Sequence, residues 1–89
     1  MAFDKVTVWK DGAQAINIGG GWVYAVGEIV SEGTRTVRIA KGKPGAAKDG
    51  SNAPCSQVQK MNFKITEKGR AEWELVKAAV DAFFAAELA

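Results

Sequence analysis

Apolar and polar side chains alternate in short runs through the first two thirds of the chain and then recur at a helical spacing. Val6 and Val8 alternate with Lys5, Thr7 and Trp9, the period of a strand with one buried side. Asp11-Gly12 follows, a dipeptide suited to the positive φ values of a tight turn, and predicts a hairpin into 14–18 with Ile16 and Ile18 inward. Gly19-Gly20-Gly21 then breaks the pattern. No helix is predicted after it to offer N-terminal amides to a phosphate, so the triplet reads as a kink or bulge that curves the sheet as the chain runs on through 22–30. Ser31-Glu32-Gly33 marks another turn, and 34–41 is a strand with Val37 and Ile39 opposite Thr34, Thr36 and Arg38.

Residues 42–56 hold both prolines of the chain and little apolar bulk, and are predicted to be a flexible loop. Gly45 and Gly50 have the glycine spacing of a triphosphate-binding loop, but Ser51-Asn52 stands where Lys-Ser or Lys-Thr is required, which excludes that reading. Residues 57–65 resume as a strand, with Met61, Phe63 and Ile65 on one side and Lys60, Asn62 and Lys64 on the other. Thr66 then supplies an N-cap and Glu67 a carboxylate for the first turn of a helix over about 67–88. Its Trp73, Val76, Val80, Phe83, Phe84 and Leu88 fall on an arc from about 280° through 0° to about 60°. The pattern predicts one α+β domain over 1–89. Four to five strands within 3–41 and 57–65 form a curved antiparallel sheet, and one long amphipathic C-terminal helix follows.

Period-two counting places Val6, Val8, Ile16, Ile18, Val37, Ile39, Met61, Phe63 and Ile65 on a core face under the helix. The opposite face takes Lys5, Thr7, Trp9, Ala15, Asn17, Thr36, Arg38, Lys60, Asn62 and Lys64. Both phases of 22–30 are apolar; Val23, Ala25 and Ile29 are assigned inward, which sends Trp22 and Tyr24 to the basic face. The helical arc is broad and bulky, so part of it is expected to meet a second copy of the chain. A chain of 89 residues is marginal as a monomer, which favours the same conclusion.

Charge sharpens this picture. The net +2 divides into −2 over 1–33, +7 over 34–70 (nine Lys and Arg against two Asp and Glu) and −3 over 71–89. A cationic sheet carrying separated aromatic rings suits single-stranded nucleic acid, since cations follow phosphates and flat rings stack on unpaired bases. The acidic polar side of the helix, with Glu74 and Asp81 near Lys77, argues against reading a duplex groove. Histidine is absent and Cys55 is the single cysteine, which removes disulfides, Cys/His zinc sites and His-dependent nucleophilic catalysis. The acidic residues are scattered, and Cys55 reads as an incidental loop thiol. The sequence therefore predicts no enzyme, no cofactor, no metal and no small-molecule substrate. A lone thiol and a start without a basic and apolar leader lead us to expect a cytoplasmic protein without membrane contact.

Lys60-Met61-Asn62-Phe63-Lys64-Ile65-Thr66, followed by Glu72-Trp73-Glu74-Leu75-Val76-Lys77, resembles the basic last strand, polar cap and helix of the positive cofactor four family of transcriptional coactivators. The opening Val6-Thr7-Val8-Trp9-Lys10-Asp11-Gly12 with Ile16-Asn17-Ile18 adds a further match, and the Whirly-type single-stranded DNA-binding proteins share the order of strands then helix. The resemblance implies a homodimer joined through the helices, with curved sheets forming a channel for unpaired strands. It also implies backbone contacts by Lys60 and Lys64 and a packing role for Trp73.

The expected function is thus non-enzymatic binding of single-stranded DNA in transcription, replication or recombination. The expected contacts are Lys5, Trp9, Trp22, Tyr24, Arg38, Lys41, Lys43, Lys60, Asn62 and Lys64, with Trp73, Val76, Val80, Phe83, Phe84 and Leu88 at a dimer interface. Two alternatives use the same cationic face. One is RNA binding, and the other is a small protein-interaction module, such as a phage-type inhibitor or assembly subunit, docking an acidic surface.

Overall fold

The computed structural model describes residues 8–31 and 33–88. Five strands form one antiparallel sheet: β1 (Val8–Trp9), β2 (Gln14–Gly19), β3 (Trp22–Ser31), β4 (Thr34–Gly42) and β5 (Gln59–Lys64). A single helix, α1 (Glu67–Leu88), follows. The order across the sheet is β1-β3-β4-β5, with β2 also paired to β3, so β5 is a free edge.

The two early turns differ from expectation. Asp11-Gly12 does not fold a hairpin. β1 and β2 both run antiparallel to β3, Val8 opposite Val30 and Gln14 opposite Val26, so they are one edge strand interrupted by an outward excursion. The reversal falls instead at the glycine triplet, where Gly19, Gly20 and Gly21 all have positive φ and let β2 turn directly into β3. Three consecutive left-handed positions are accessible only to residues without a Cβ, which is why a triplet and not a single glycine stands there.

Directly paired residues share a face, so the register fixes both faces of the sheet. On one, Ala25 lies opposite Ala40, Gly27 opposite Arg38 and Ile29 opposite Thr36, with Trp9 beside Ile29. This is the packed face, and its core is Trp9, Val23, Ala25, Ile29 and Ala40 together with Ala53 and Cys55 of the 42–56 segment. The other face carries Val8, Ile16, Tyr24, Val30, Met61 and Ile65, all exposed, and we call it the open face.

The inward assignment of Val23, Ala25 and Ile29 therefore holds, but the other strands face the opposite way from expectation: Ile16, Val37, Ile39, Met61 and Ile65 lie on the open face, and Trp9, Thr36 and Arg38 on the packed one. Val23, Ala25 and Ile29 lie under Trp9, not under a helix, and Trp22 and Tyr24 belong to the open face. The physical reason is size: Ala25, Gly27, Ala40 and Gly42 make the packed face shallow enough for a loop to sit on it. A Cβ on Gly27 would come within 2.9 Å of the Trp9 ring. The 42–56 segment is accordingly no free loop. It folds over the sheet through a Pro44–Cys55 bridge, an Ala47 N–H donating to the Ala53 carbonyl, and a Trp9 N–H donating to the Ser51 carbonyl at 2.8 Å. Ser51, Ala53 and Cys55 are buried.

Nor does α1 cover the face assigned to it. Its Thr66 cap accepts a hydrogen bond from the Gly69 N–H at 3.0 Å, and Trp73 packs edge-on against Phe63 with ring centroids 5.5 Å apart. Of the sheet, α1 touches β5 only, and beyond Trp73 its residues are exposed. No helix among the described residues is long and apolar enough to cross a membrane.

Candidate nucleic-acid interface

The contact residues expected on one basic face are divided by the fold into three groups. Lys5, with its neighbours Val6 and Thr7, lies outside the described residues.

Trp9 and Arg38 belong to the interior. Trp9 is 2% exposed and Arg38 is 6% exposed. The Arg38 guanidinium donates from Nε to Asn62 Oδ1 at 2.8 Å and from Nη1 to Gln57 Oε1 at 2.7 Å. The same Gln57 oxygen accepts from Trp9 Nε1 at 3.3 Å, and Gln57 Nε2 reaches toward Asp49 Oδ2 at 3.5 Å. Burial lowers the Arg38 pKa from its ordinary value. A buried guanidinium is costly unless its donors are engaged, and here two neutral amides engage them. Arg38 and Trp9 thus pin the 42–56 segment to the sheet and are not surface contacts. The missed residue is Gln57, for which no local pattern signals a role, because its partners are 48 and 19 positions away.

Lys60, Asn62 and Lys64 form the second group, on the packed side of the free edge strand β5, where all three are exposed. Lys64 and Asn62 border a polar cleft of about 360 Å³ with Thr36, Thr66, Lys68 and Glu72.

The third group is on the open face. Trp22 and Tyr24 alternate outward at the start of β3, and Lys41 stands directly opposite Tyr24 on β4. Lys41 Nζ lies 5.6 Å from the ring centroids of both Trp22 and Tyr24, and Lys43 Nζ lies 4.3 Å from that of Trp22. Such cation–π contacts are worth about 0.5–1 kcal/mol at exposed sites, enough to orient the side chains but not to bind them shut. Among the described residues neither lysine forms an ion pair with a carboxylate. Shallow depressions run beside them, lined by Val58, Gln59, Met61 and Ile39, and Lys60 borders one from the free edge. At the far end of this face Glu28 is the anionic centre: it accepts from Arg35 at 2.8 Å and from Lys10 at 3.1 Å. These two partners, Arg35 first, hold its carboxyl down at about 2.

Of the expected interface residues on α1, Trp73 is half-buried against Phe63, while Val76, Val80, Phe83, Phe84 and Leu88 are exposed. Burial pushes the Cys55 thiol pKa up, the opposite of an activated nucleophile. No grouping of His, Cys, Asp and Glu among the described residues could hold a metal ion. No protein family model, curated protein or solved structure matches the chain.

Proposed function

We propose that the chain is a non-enzymatic single-stranded DNA-binding protein that works as a homodimer through α1, in transcription, replication or recombination. The observation that carries this reading is the open-face group of Trp22 and Tyr24 with Lys41 and Lys43 beside their rings. A half-buried Trp22 and an exposed Tyr24, two residues apart on one strand, offer flat apolar platforms of the kind unpaired bases stack on, at about 1–3 kcal/mol per base. Lys41 and Lys43, without carboxylate partners among the described residues, stand over these rings and would supply cations to the phosphates of a stacked strand. Lys60 lies opposite Ala40, the neighbour of Lys41, and extends the cationic track across the β5 edge toward Lys64. Of the cations that give the 34–70 segment its +7, Lys41, Lys43 and Lys60 border this group. Discrimination between DNA and RNA is an outcome of the test below.

The experiment is a titration of a single-stranded oligonucleotide of roughly twenty bases, followed by tryptophan fluorescence at several salt concentrations, with duplex DNA and RNA as competitors. If Lys41, Lys43, Lys60 and Lys64 neutralise about four phosphates, log affinity falls against log salt with a slope near −3. Duplex competes poorly, and K60E/K64E loses most of the affinity while remaining folded. A slope near zero, or no binding at low salt, overturns the reading.

A further inference from the structure

Among the described residues, two apolar surfaces lack cover. The first is the outer four turns of α1, where Val76 is 37%, Val80 47%, Phe84 60% and Phe83 76% exposed. The second is the β4–β5 half of the open face, where Ile65 borders an apolar cleft of about 530 Å³ with Val37, Phe63 and Trp73, and Ile39 and Met61 line a separate shallow depression. A sheet face and an amphipathic helix ordinarily cover each other. Within one chain they do not meet here, because the helix root is fixed. Gly69 backs so closely on the Lys64 carbonyl that a Cβ would lie 1.9 Å from its oxygen, and the Thr66 cap and the Phe63–Trp73 contact hold the same turn. From that root α1 leaves the sheet at its β5 edge, and the chain extends 50 Å along its longest axis.

We infer that a second copy of the chain supplies the cover reciprocally: α1 of each protomer lies across the β4–β5 half of the partner's open face. This rests on the homodimer reading and names the surface that receives the helix. Three observations select a second copy as the occupant. The two surfaces are complementary in kind, one a helix and one a sheet, and a twofold exchange covers both at once. They are complementary in charge, since 71–89 carries −3 while the open face presents Lys41 and Lys43, its Arg35 and Lys10 being already paired with Glu28. The area is also of the right order: Val76, Val80, Phe83, Phe84 and Leu88 of α1 and Met61 and Ile65 of the sheet are 37–76% exposed, and such side chains together offer on the order of several hundred Å² toward the roughly 800 Å² per partner of a stable interface. The helix would occupy the rows of Val37, Ile39 and Met61, abut Tyr24 and Lys41, which share a depression with Ile39 and Met61, and leave Trp22 open to a ligand.

Sedimentation of F84D and M61D distinguishes this arrangement from helix-to-helix pairing. Both positions are exposed within the chain, so both variants keep the far-ultraviolet spectrum of the parent. Under the exchange, each becomes monomeric at a concentration where the parent is a dimer. If F84D dissociates and M61D remains a dimer, the helices pair with each other and the exchange is overturned, while the homodimer stands. A parent that sediments as a monomer overturns both. Oxidative cross-linking gives an independent measure: mixing M61C with V80C and with F84C, one turn apart, traps a covalent dimer from at least one pair faster than any variant alone. The parent is the control, since Cys55 is buried. Faster cross-linking of F84C by itself than of any mixture counts against the exchange. The oligonucleotide titration is read separately, so loss of DNA binding and loss of the exchange are distinguishable results.

Discussion

Replacing Gly69 by alanine sets two effects of opposite sign against each other at the root of α1. In the interior of a helix alanine is favoured over glycine by about 1 kcal/mol. At this position, however, the new Cβ would stand 1.9 Å from the Lys64 carbonyl oxygen and 2.8 Å from its carbon. An ordinary carbon to oxygen contact is about 3.3 Å, and the obstacle is backbone, so β5 and α1 must separate by roughly 1 Å or more. Overpacking of this kind costs about 1–3 kcal/mol and occasionally more. The separation also stretches the Gly69 N–H to Thr66 Oγ1 bond, a cap whose loss costs about 1 kcal/mol. The net expectation for G69A is a destabilisation of about 1–3 kcal/mol, with each kcal/mol lowering Tm by about 4–8 °C for a domain of this size. Thermal unfolding followed by circular dichroism, with both proteins at one concentration because assembly shifts the midpoint, reads the difference. A G69A protein that melts at or above the parent would refute the close approach and, with it, the fixed departure of the helix from the sheet.

W22A and Y24A should each weaken binding of the single-stranded oligonucleotide by about 1–3 kcal/mol, or roughly 5- to 150-fold in Kd, with unchanged secondary structure; unchanged affinity in both would remove the open face from the binding site. Q57A deprives Arg38 Nη1 and Trp9 Nε1 of their shared acceptor and should cost about 2 kcal/mol, read as a lower urea midpoint, whereas an unmoved midpoint would show that the network is dispensable. The Glu28 carboxyl, held at about 2 by Arg35 and Lys10, titrates below its ordinary value of 4.5. Because the folded value is the lower one, its contribution is complete above about pH 4.5 and is lost as pH falls toward 2. In a Tm against pH profile E28Q should therefore flatten that interval, and superimposable acid limbs would contradict the assignment.

Where periodicity carried information, the sequence was readable. The alternation of Met61, Phe63 and Ile65 with Lys60, Asn62 and Lys64 marks β5, and the Thr66 cap with the 3.6-residue recurrence from Trp73 marks α1. Along 22–30 both phases are apolar, so alternation cannot say which one faces the core. The deciding fact is that Val23, Ala25 and Ile29 pack with Trp9 and with Ala53 and Cys55 of the 42–56 segment, partners remote in sequence that no alternation along 22–30 can signal. Trp9 and Arg38 fit a basic aromatic surface residue by residue. They are interior because Gln57 and Ser51, remote in sequence, reach them through a segment whose alternating buried groups, Ser51, Ala53 and Cys55, are too small to register as an apolar strand. The open-face cluster could be found only in part: Trp22 and Tyr24 are evident as alternating aromatics, but Lys41 joins them solely through the pairing of β3 with β4.

Surface loops usually accept insertions and deletions at little thermodynamic penalty, and a stretch containing two prolines and several glycines would be the natural place to splice a tag or a reporter into this chain. The way 42–56 is built makes most of it uneditable. Ser51, Ala53 and Cys55 serve as interior side chains, the Ser51 carbonyl completes the backbone bonding of Trp9, and the left-handed Asn52 at φ 62° sets the spacing between them. A residue added there would shift alternate side chains out of their seats against Ala25 and Ala40, as a slipped register does in a strand. Tolerance is confined to the exposed stretch around Gly45 and Ala46, a permissive window a few residues wide at the crest of the segment. Variation in the length of this loop among related chains should collect at that crest.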